Sequence, residues 1–253
     1  MSRQELGPHP QVSVIIPTYN EVRNVKLLIE SLLQLDVPHE LEIVVVDDGS
    51  TDGTIEAIEE LMAHYPRIKL LIRRGKMGLG SAYKDGLKIA SGYLVVQMDG
   101  DLSHRPSELP KLLDALAEAD LAIGSRYVRG GRVVNWSATR IAMSKVANLL
   151  AKLILSIRAK DITSGFRAWR RSALELCLNA SICSGFDFQV EMLFIAERMG
   201  LKITEIPITF VGRRSGKSKL GPKDILSFIF SLLKMLKHMK AVKEGVFDEE
   251  GGA

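Results

Sequence analysis

Residues 11–50 read QVSVIIPTYNEVRNVKLLIESLLQLDVPHELEIVVVDDGS, and this stretch decides the fold. Two β-branched runs, at 12–16 and 43–46, are apolar on both faces, as strands buried in a parallel sheet must be. Between them, 22–35 carries apolar residues at helical spacing. Each run ends on polar residues, Pro17-Thr18-Tyr19-Asn20-Glu21 after the first and Asp47-Asp48-Gly49-Ser50 after the second.

The same alternation continues outward. Strands are expected at 69–72, 94–97 and 121–123, and helices at 54–64, 80–90 and 107–119, with Asp52 and Ser107 near the N-caps. Such a sequence predicts an α/β fold, a mostly parallel central sheet with helices on both faces. Ligands of these sheets bind beyond the carboxyl ends of the strands. Three polar clusters then share one edge, the third being Asp99-Gly100-Asp101. An Asp-Gly pair is also a common turn. With Asp47 and Asp48 at the same edge, a divalent cation between carboxylates and a phosphate is the better reading.

The second half differs in pattern and charge. Residues 1–123 hold 12 Lys/Arg against 19 Asp/Glu, 124–240 hold 21 against 7, and 241–253 hold 1 against 4. A basic half attached to an acidic half points to an anionic partner: phosphate, nucleic acid or an anionic lipid surface. No nucleic-acid-binding module or interleaved aromatics are present, which disfavours nucleic acid. Residues 138–157 form a long helix with a polar stripe at Arg140, Ser144, Asn148, Lys152 and Ser156. A helix is expected at 188–199, a strand at 202–210 and a basic, glycine-containing loop at 211–223. Gly78-Leu79-Gly80 opens a helix without the third glycine or the preceding first strand of a dinucleotide fingerprint, so a dehydrogenase is disfavoured. Its backbone could instead approach a phosphate or ribose.

Cys177 and Cys183 are spaced for neither a zinc site nor a disulfide framework, and they read as reduced thiols of a cytosolic compartment. The first ten residues lack the apolar core of a signal peptide, and no run reaches the roughly 18 apolar residues of a membrane span. Residues 225–239 form an amphipathic segment in which Ser227, Ser231, Lys234 and His238 make a narrow polar stripe. It suits a membrane interface or an internal docking site. The chain thus divides into a catalytic domain at 11–223, an amphipathic helix at 224–240 and a flexible tail at 241–253.

With VSVIIPTYNE, EIVVVDDGSTDGT, KMGLGSA, MDGDLSH, GSRYVRGG, TSGFRAWRR and RRSGKSK in view, the chain resembles the family 2 inverting glycosyltransferases and, within them, the dolichyl-phosphate mannose synthases. The resemblance implies a nucleotide-diphosphosugar transferase (GT-A type) fold. It places Pro17, Tyr19 and Glu21 at the nucleotide and gives Val46 and Asp48 the base and ribose, with Gly78 also at the substrate. Asp99, Gly100 and Asp101 match the family's DxD motif, with Asp101 the direct ligand of Mg2+ or Mn2+. Ser103 stands where many relatives carry a glutamine ligand, which leaves the completeness of the metal shell open. Arg126, Arg140, Arg213 and Lys219 match positions that face phosphates, and Asp101, Arg126 and Arg213 would carry catalysis. The implied partners are a nucleotide-sugar donor such as GDP-mannose, a polyprenyl (dolichyl) phosphate acceptor, a membrane surface reached from its cytoplasmic face, and a possible membrane-anchoring subunit. UDP-glucose is an alternative donor, and a non-catalytic nucleotide-sugar-binding protein is the alternative of another class. A sugar-hydroxyl acceptor would need a carboxylate base, for which Asp161 and Asp187 are the unassigned acids.

Overall fold

The computed structural model describes residues 11–185, 187–212 and 228–239. Its elements run β1 (Val12–Thr18), α1 (Val22–Leu33), β2 (Leu41–Asp47), α2 (Thr54–Met62), β3 (Ile68–Ile72), α3 (Leu79–Ile89), β4 (Leu94–Gln97), a 3-10 turn at Pro106–Glu108, α4 (Leu109–Ala115), β5 (Leu121–Ser125), β6 (Arg132–Val134), α5 (Ala138–Leu155), β7 (Arg167–Arg170), α6 (Arg171–Asn179), α7 (Phe188–Arg198), β8 (Ile203–Pro207) and β9 (Thr209–Val211). A further helix occupies 228–239.

Seven strands form one sheet in the order β3-β2-β1-β4-β7-β5-β8. All neighbours are parallel except β7, which runs antiparallel to both β4 and β5. The strand alternation sorts side chains into two cores. Val12, Val14, Ile16, Ile43 and Val45 pack beneath α1, α2 and α4. Ile15, Val44, Val46 and Val95 face α3, α7 and the buried edges of α5 and the 228–239 helix. Burial on both faces is what the unbroken β-branched runs require.

Three expectations are corrected. β7 was not anticipated, because Arg-Ala-Trp-Arg is short and flanked by charge; its partners on both sides make it a strand. The strand expected at 202–210 divides at Ile208, whose N–H reaches back to Ser125 O at 3.1 Å. β8 then extends the main sheet while β9 pairs with β6 in a separate two-stranded sheet. The helix expected at 107–119 is a 3-10 turn followed by α4, which ends at Ala115.

Close packing of α3 on β1 and β2 depends on Gly86. A Cβ there would stand 2.6 Å from Ile15 Cγ2 and 3.0 Å from Val46 Cγ2. Alanine would gain about 1 kcal/mol of helix propensity, but overpacking a closed core costs about 1–3 kcal/mol. Gly86→Ala is therefore expected to lower the urea midpoint, and a raised midpoint would show that this face can yield.

Candidate active site

The carboxyl ends of β1, β2 and β4 do meet at one edge, and the first two are tied together. Thr18 Oγ1 donates to Asp47 Oδ2 at 2.9 Å, and Ser50 donates from its N–H and Oγ at 2.7 and 2.6 Å. Asp47 is fully buried. Asp48 accepts from Arg73 Nε at 2.6 Å, and Arg73 also reaches Ser81 Oγ and the carbonyl of Gly78. Arg73, not singled out from sequence, thus joins Asp48 to the glycine turn before α3. Gly78 itself has φ +96°, and a Cβ there would collide with Ser184 O. Pro17 is the penultimate residue of β1. Tyr19 is partly exposed with Lys76 Nζ 3.8 Å above its ring, and Glu21, at the N-cap of α1, accepts from Asn24 Nδ2 at 2.6 Å. The side chain of Val46 is wholly buried beneath α3 and belongs to the core, so a nucleotide there would meet its backbone.

Asp99 and Asp101 follow β4. Gly100 lets the segment abut β1, since a Cβ would lie 3.0 Å from Thr18 Cγ2 and 3.1 Å from Pro17 O. Leu102 adopts φ +61°, and Ser103 N–H donates to Asp101 Oδ1 at 3.0 Å. His104, which sequence reasoning passed over, is buried with Nε2 3.1 Å from Asp99 Oδ2 and its ring between Phe166 and Phe210. The buried Ser103 Oγ and His104 Nδ1 have no hydrogen-bond partner among the described residues. Nearby, burial and then the charges of Asp99 and Asp101 push the Tyr83 hydroxyl well above its ordinary range.

This donor set fits a hard divalent cation. Two carboxylates and an orphaned hydroxyl are oxygen ligands of the kind Mg2+ and Mn2+ prefer, and such ions commonly complete their shell with substrate phosphates. Among the described residues no group of three or more His, Cys, Asp or Glu side chains is placed to hold a metal ion.

The basic residues come from the far side of β4. Arg126 follows β5 and is clamped by Asp161, which accepts from its Nε at 2.7 Å, its Nη2 at 2.6 Å and its backbone N–H at 2.8 Å. Nη2 also donates to Thr163 Oγ1 at 2.8 Å. Burial alone would lower the guanidinium's pKa, but the Asp161 hydrogen bonds and charge raise it overall. Asp161 is thereby committed to Arg126 and is poorly placed to act as a base. The rings of Tyr127, Trp136 and Phe210 surround the same guanidinium at 5.2, 5.5 and 5.3 Å. Arg140 lies over Trp136 at 4.3 Å, and Tyr127 Oη donates to Ser144 Oγ at 2.7 Å. Arg213 and Lys219 lie outside the described residues. Both cysteines are free and buried, with burial pushing the Cys177 thiol up to about 12 and Cys183 up as well.

The site thus sets the carboxylates that follow β2 and β4 at the same sheet edge as an arginine ringed by aromatic side chains after β5. The glycosyl transferase family 2 model matches residues 13–177. Polyprenol monophosphomannose synthase of Mycolicibacterium smegmatis is 43% identical over 234 residues, covering 89% of this chain and 86% of the relative. Undecaprenyl-phosphate mannosyltransferase of Micrococcus luteus is 42% identical over 214 residues, covering 83% and 87%. The chain belongs to glycosyl transferase family 2 and groups there with the polyprenyl-phosphate mannosyltransferases. In fold it is similar to glucosyl-3-phosphoglycerate synthase of Mycobacterium tuberculosis solved with UDP, at a TM-score of 0.65 and 23% identity over 89% of this chain and 80% of that one. The same enzyme solved with Mn2+, UDP-glucose and glycerol 3-phosphate gives a TM-score of 0.64 over 90% and 79%.

The Arg126–Asp161 pair has side-chain exposures of only 6% and 0%. Removing one partner of such a pair costs about 3–5 kcal/mol, because the other charge stays buried. Asp161→Asn is expected to destabilise by that order in urea unfolding, with part of the loss recovered in Asp161→Asn/Arg126→Met. A double-variant loss equal to the sum of the losses in Asp161→Asn and Arg126→Met would mean that the pair is not coupled.

Proposed function

We propose that the protein transfers mannose from GDP-mannose to a polyprenyl phosphate at a membrane surface, with inversion at the anomeric carbon. The reading rests on family membership and on one observation, the way α5 is turned. The middle of its polar stripe faces inward: Asn148 is buried and Ser144 meets Tyr127, while Lys152 and Ser156 at its C-terminal end are exposed. Its apolar Val146, Leu149 and Leu153 are left 48%, 55% and 69% exposed. A soluble helix normally does the reverse, whereas a helix between a polar site and lipid should do this.

Pro17, Tyr19, Glu21, Asp48 and Gly78 would border the donor nucleotide. Asp99, Asp101 and Ser103 would hold Mg2+ or Mn2+, which when bound neutralises the diphosphate and stabilises it as leaving group. The Mn2+ in the structural neighbour supports divalent-metal dependence in general terms. Arg126, Arg140, Arg213 and Lys219 would receive the acceptor phosphate and share its charge, a task suited to guanidinium forks. A phosphate oxygen of the acceptor attacks the anomeric carbon as the bond to the nucleoside diphosphate breaks. With a second pKa near 6, by analogy with phosphoamino acids, that oxygen needs no base to deprotonate it. This agrees with the commitment of Asp161 to Arg126.

Donor and acceptor are tested by incubating the protein with Mg2+ or Mn2+, labelled GDP-mannose or UDP-glucose, and a short polyprenyl phosphate, then extracting lipid. Label from GDP-mannose alone is expected; transfer from UDP-glucose alone would replace the donor assignment. Asp101→Ala should abolish transfer with the fold retained, while Ser103→Ala should be mild and Ser103→Gln tolerated. Near-normal activity of Asp101→Ala in Mg2+ would overturn the metal site.

No helix among the described residues is long and apolar enough to cross a membrane. The 228–239 helix docks through Leu232, Met235 and Met239, and its His238 ring lies 3.0 Å from Ala180 O, so one face is internal. Phe230 and Leu233 stay 64% and 50% exposed. Peripheral attachment on the cytoplasmic side would use these residues and the outer face of α5, with Lys145, Lys152, Lys234 and Lys237 exposed toward anionic lipid. Changing Leu149, Leu153, Phe230 and Leu233 together to Ser should release the protein from anionic liposomes and lower activity on long-chain acceptor in vesicles. Activity on a water-soluble short-chain acceptor should survive. Retained liposome binding would move the membrane contact elsewhere.

A further inference from the structure

Between the acidic and basic halves of the site lies the loop at 161–165, and it touches both. On the acidic side, a Cβ on Gly165 would lie 3.2 Å from each carboxylate oxygen of Asp99, so the loop backbone is in contact with that side chain. On the basic side, Asp161 and Thr163 hold the Arg126 guanidinium. Asn148 of α5 pins the middle, accepting from Ile162 N–H at 2.6 Å and donating to Thr163 Oγ1 at 3.2 Å.

What fixes the loop from within is Arg167, the first residue of β7. Its side chain is fully buried, with Nε donating to Ser164 O and Nη2 to Ile162 O, both at 2.9 Å. No carboxylate shares a salt bridge with it among the described residues, and Nη1 has no partner. An arginine interred with only the more distant charge of Asp161 to offset its burial is costly, and two carbonyl bonds from a rigid planar fork define loop position better than a flexible ammonium can.

We propose that Arg167 is a positioning residue whose grip on the 161–165 loop couples the Asp99 carboxylate to the Arg126 guanidinium, so that neither side of the site can move alone. The inference deepens the transferase reading and rests on its assignment of metal to Asp99 and acceptor phosphate to Arg126. Loss of the grip would misplace both groups by a fraction of the loop's width, and a misplacement of about 1 Å costs on the order of 100-fold in turnover.

The test perturbs each end and reads the other. Gly165→Ala crowds the Asp99 carboxylate, Thr163→Val removes an acceptor from Arg126, and Arg167→Lys keeps charge but loses the fork. Two binding constants are measured well below the thermal midpoint, where loss of stability alone does not alter them. One is Mn2+ affinity in the presence of GDP, from the electron paramagnetic resonance signal of free Mn2+. The other is affinity for a short-chain polyprenyl phosphate, by calorimetry. Gly165→Ala should weaken acceptor binding as well as Mn2+, and Thr163→Val should weaken Mn2+ as well as acceptor, by amounts on the order of tenfold typical of coupled sites. Arg167→Lys should weaken both and lower turnover. The proposal is overturned if each end variant affects only its own ligand, or if folded Arg167→Lys binds both as the unaltered protein does. Should Arg167→Lys not fold, the two end variants decide. An unaltered protein that binds both ligands but transfers no mannose would count against the proposed function, while the coupling is judged on the same two constants.

Discussion

The site depends on the reversal of one short strand. Parallel strands deliver only their carboxyl ends to the functional edge, but β7 runs the other way between β4 and β5, so its beginning lies there. The chain before Arg167 is therefore brought over Asp99 and against Arg126, and a loop far from the DxD segment in sequence becomes the floor between them. Its register is held by Trp169, fully buried and donating from Nε1 to Gln97 Oε1 at 3.1 Å on the adjacent strand.

The basic half of the chain is less of a free electrostatic surface than its composition implied. Arg126, proposed to meet the acceptor phosphate, is already ion-paired with Asp161, and Arg167 is enclosed, with burial lowering its pKa to about 10, which still leaves it protonated near neutrality. Arg170 and Arg171 donate to the carbonyls of Leu116 and Ala90 that close neighbouring turns. Several cations are thus structural ties within the protein, as guanidinium forks allow. Counting charge by segment pointed to an anionic partner without distinguishing these from side chains that remain available.

The two helices with exposed apolar faces, α5 and that at 228–239, resolve a choice that amphipathicity alone left open. The 228–239 helix is both a docking helix and an exposed apolar surface, on different faces. α5 turns Ser144 and Asn148 to the interior because Tyr127, Thr163 and Ile162 N–H supply partners there. Polar groups go where hydrogen bonds are available, and here that place is the site.

Sequence by itself determined the parallel core, because β-branched runs buried on both faces and helices of the right length leave few topologies. It also determined the shared edge of Tyr19, Asp48, Asp99 and Asp101, since these follow strands that point the same way, and the motifs of the family. Only the tertiary structure decided the rest. β7 and β6 are too short and polar to announce themselves, and Arg73, His104 and Asp161 acquire meaning from partners 25, 5 and 35 residues away. Val46 followed its motif into the expected place in the chain but turned its side chain into the core. Strand period fixes which face a residue takes once the sheet exists, whereas the pairing of an isolated aspartate with an arginine is set by how distant segments pack, which no local pattern encodes.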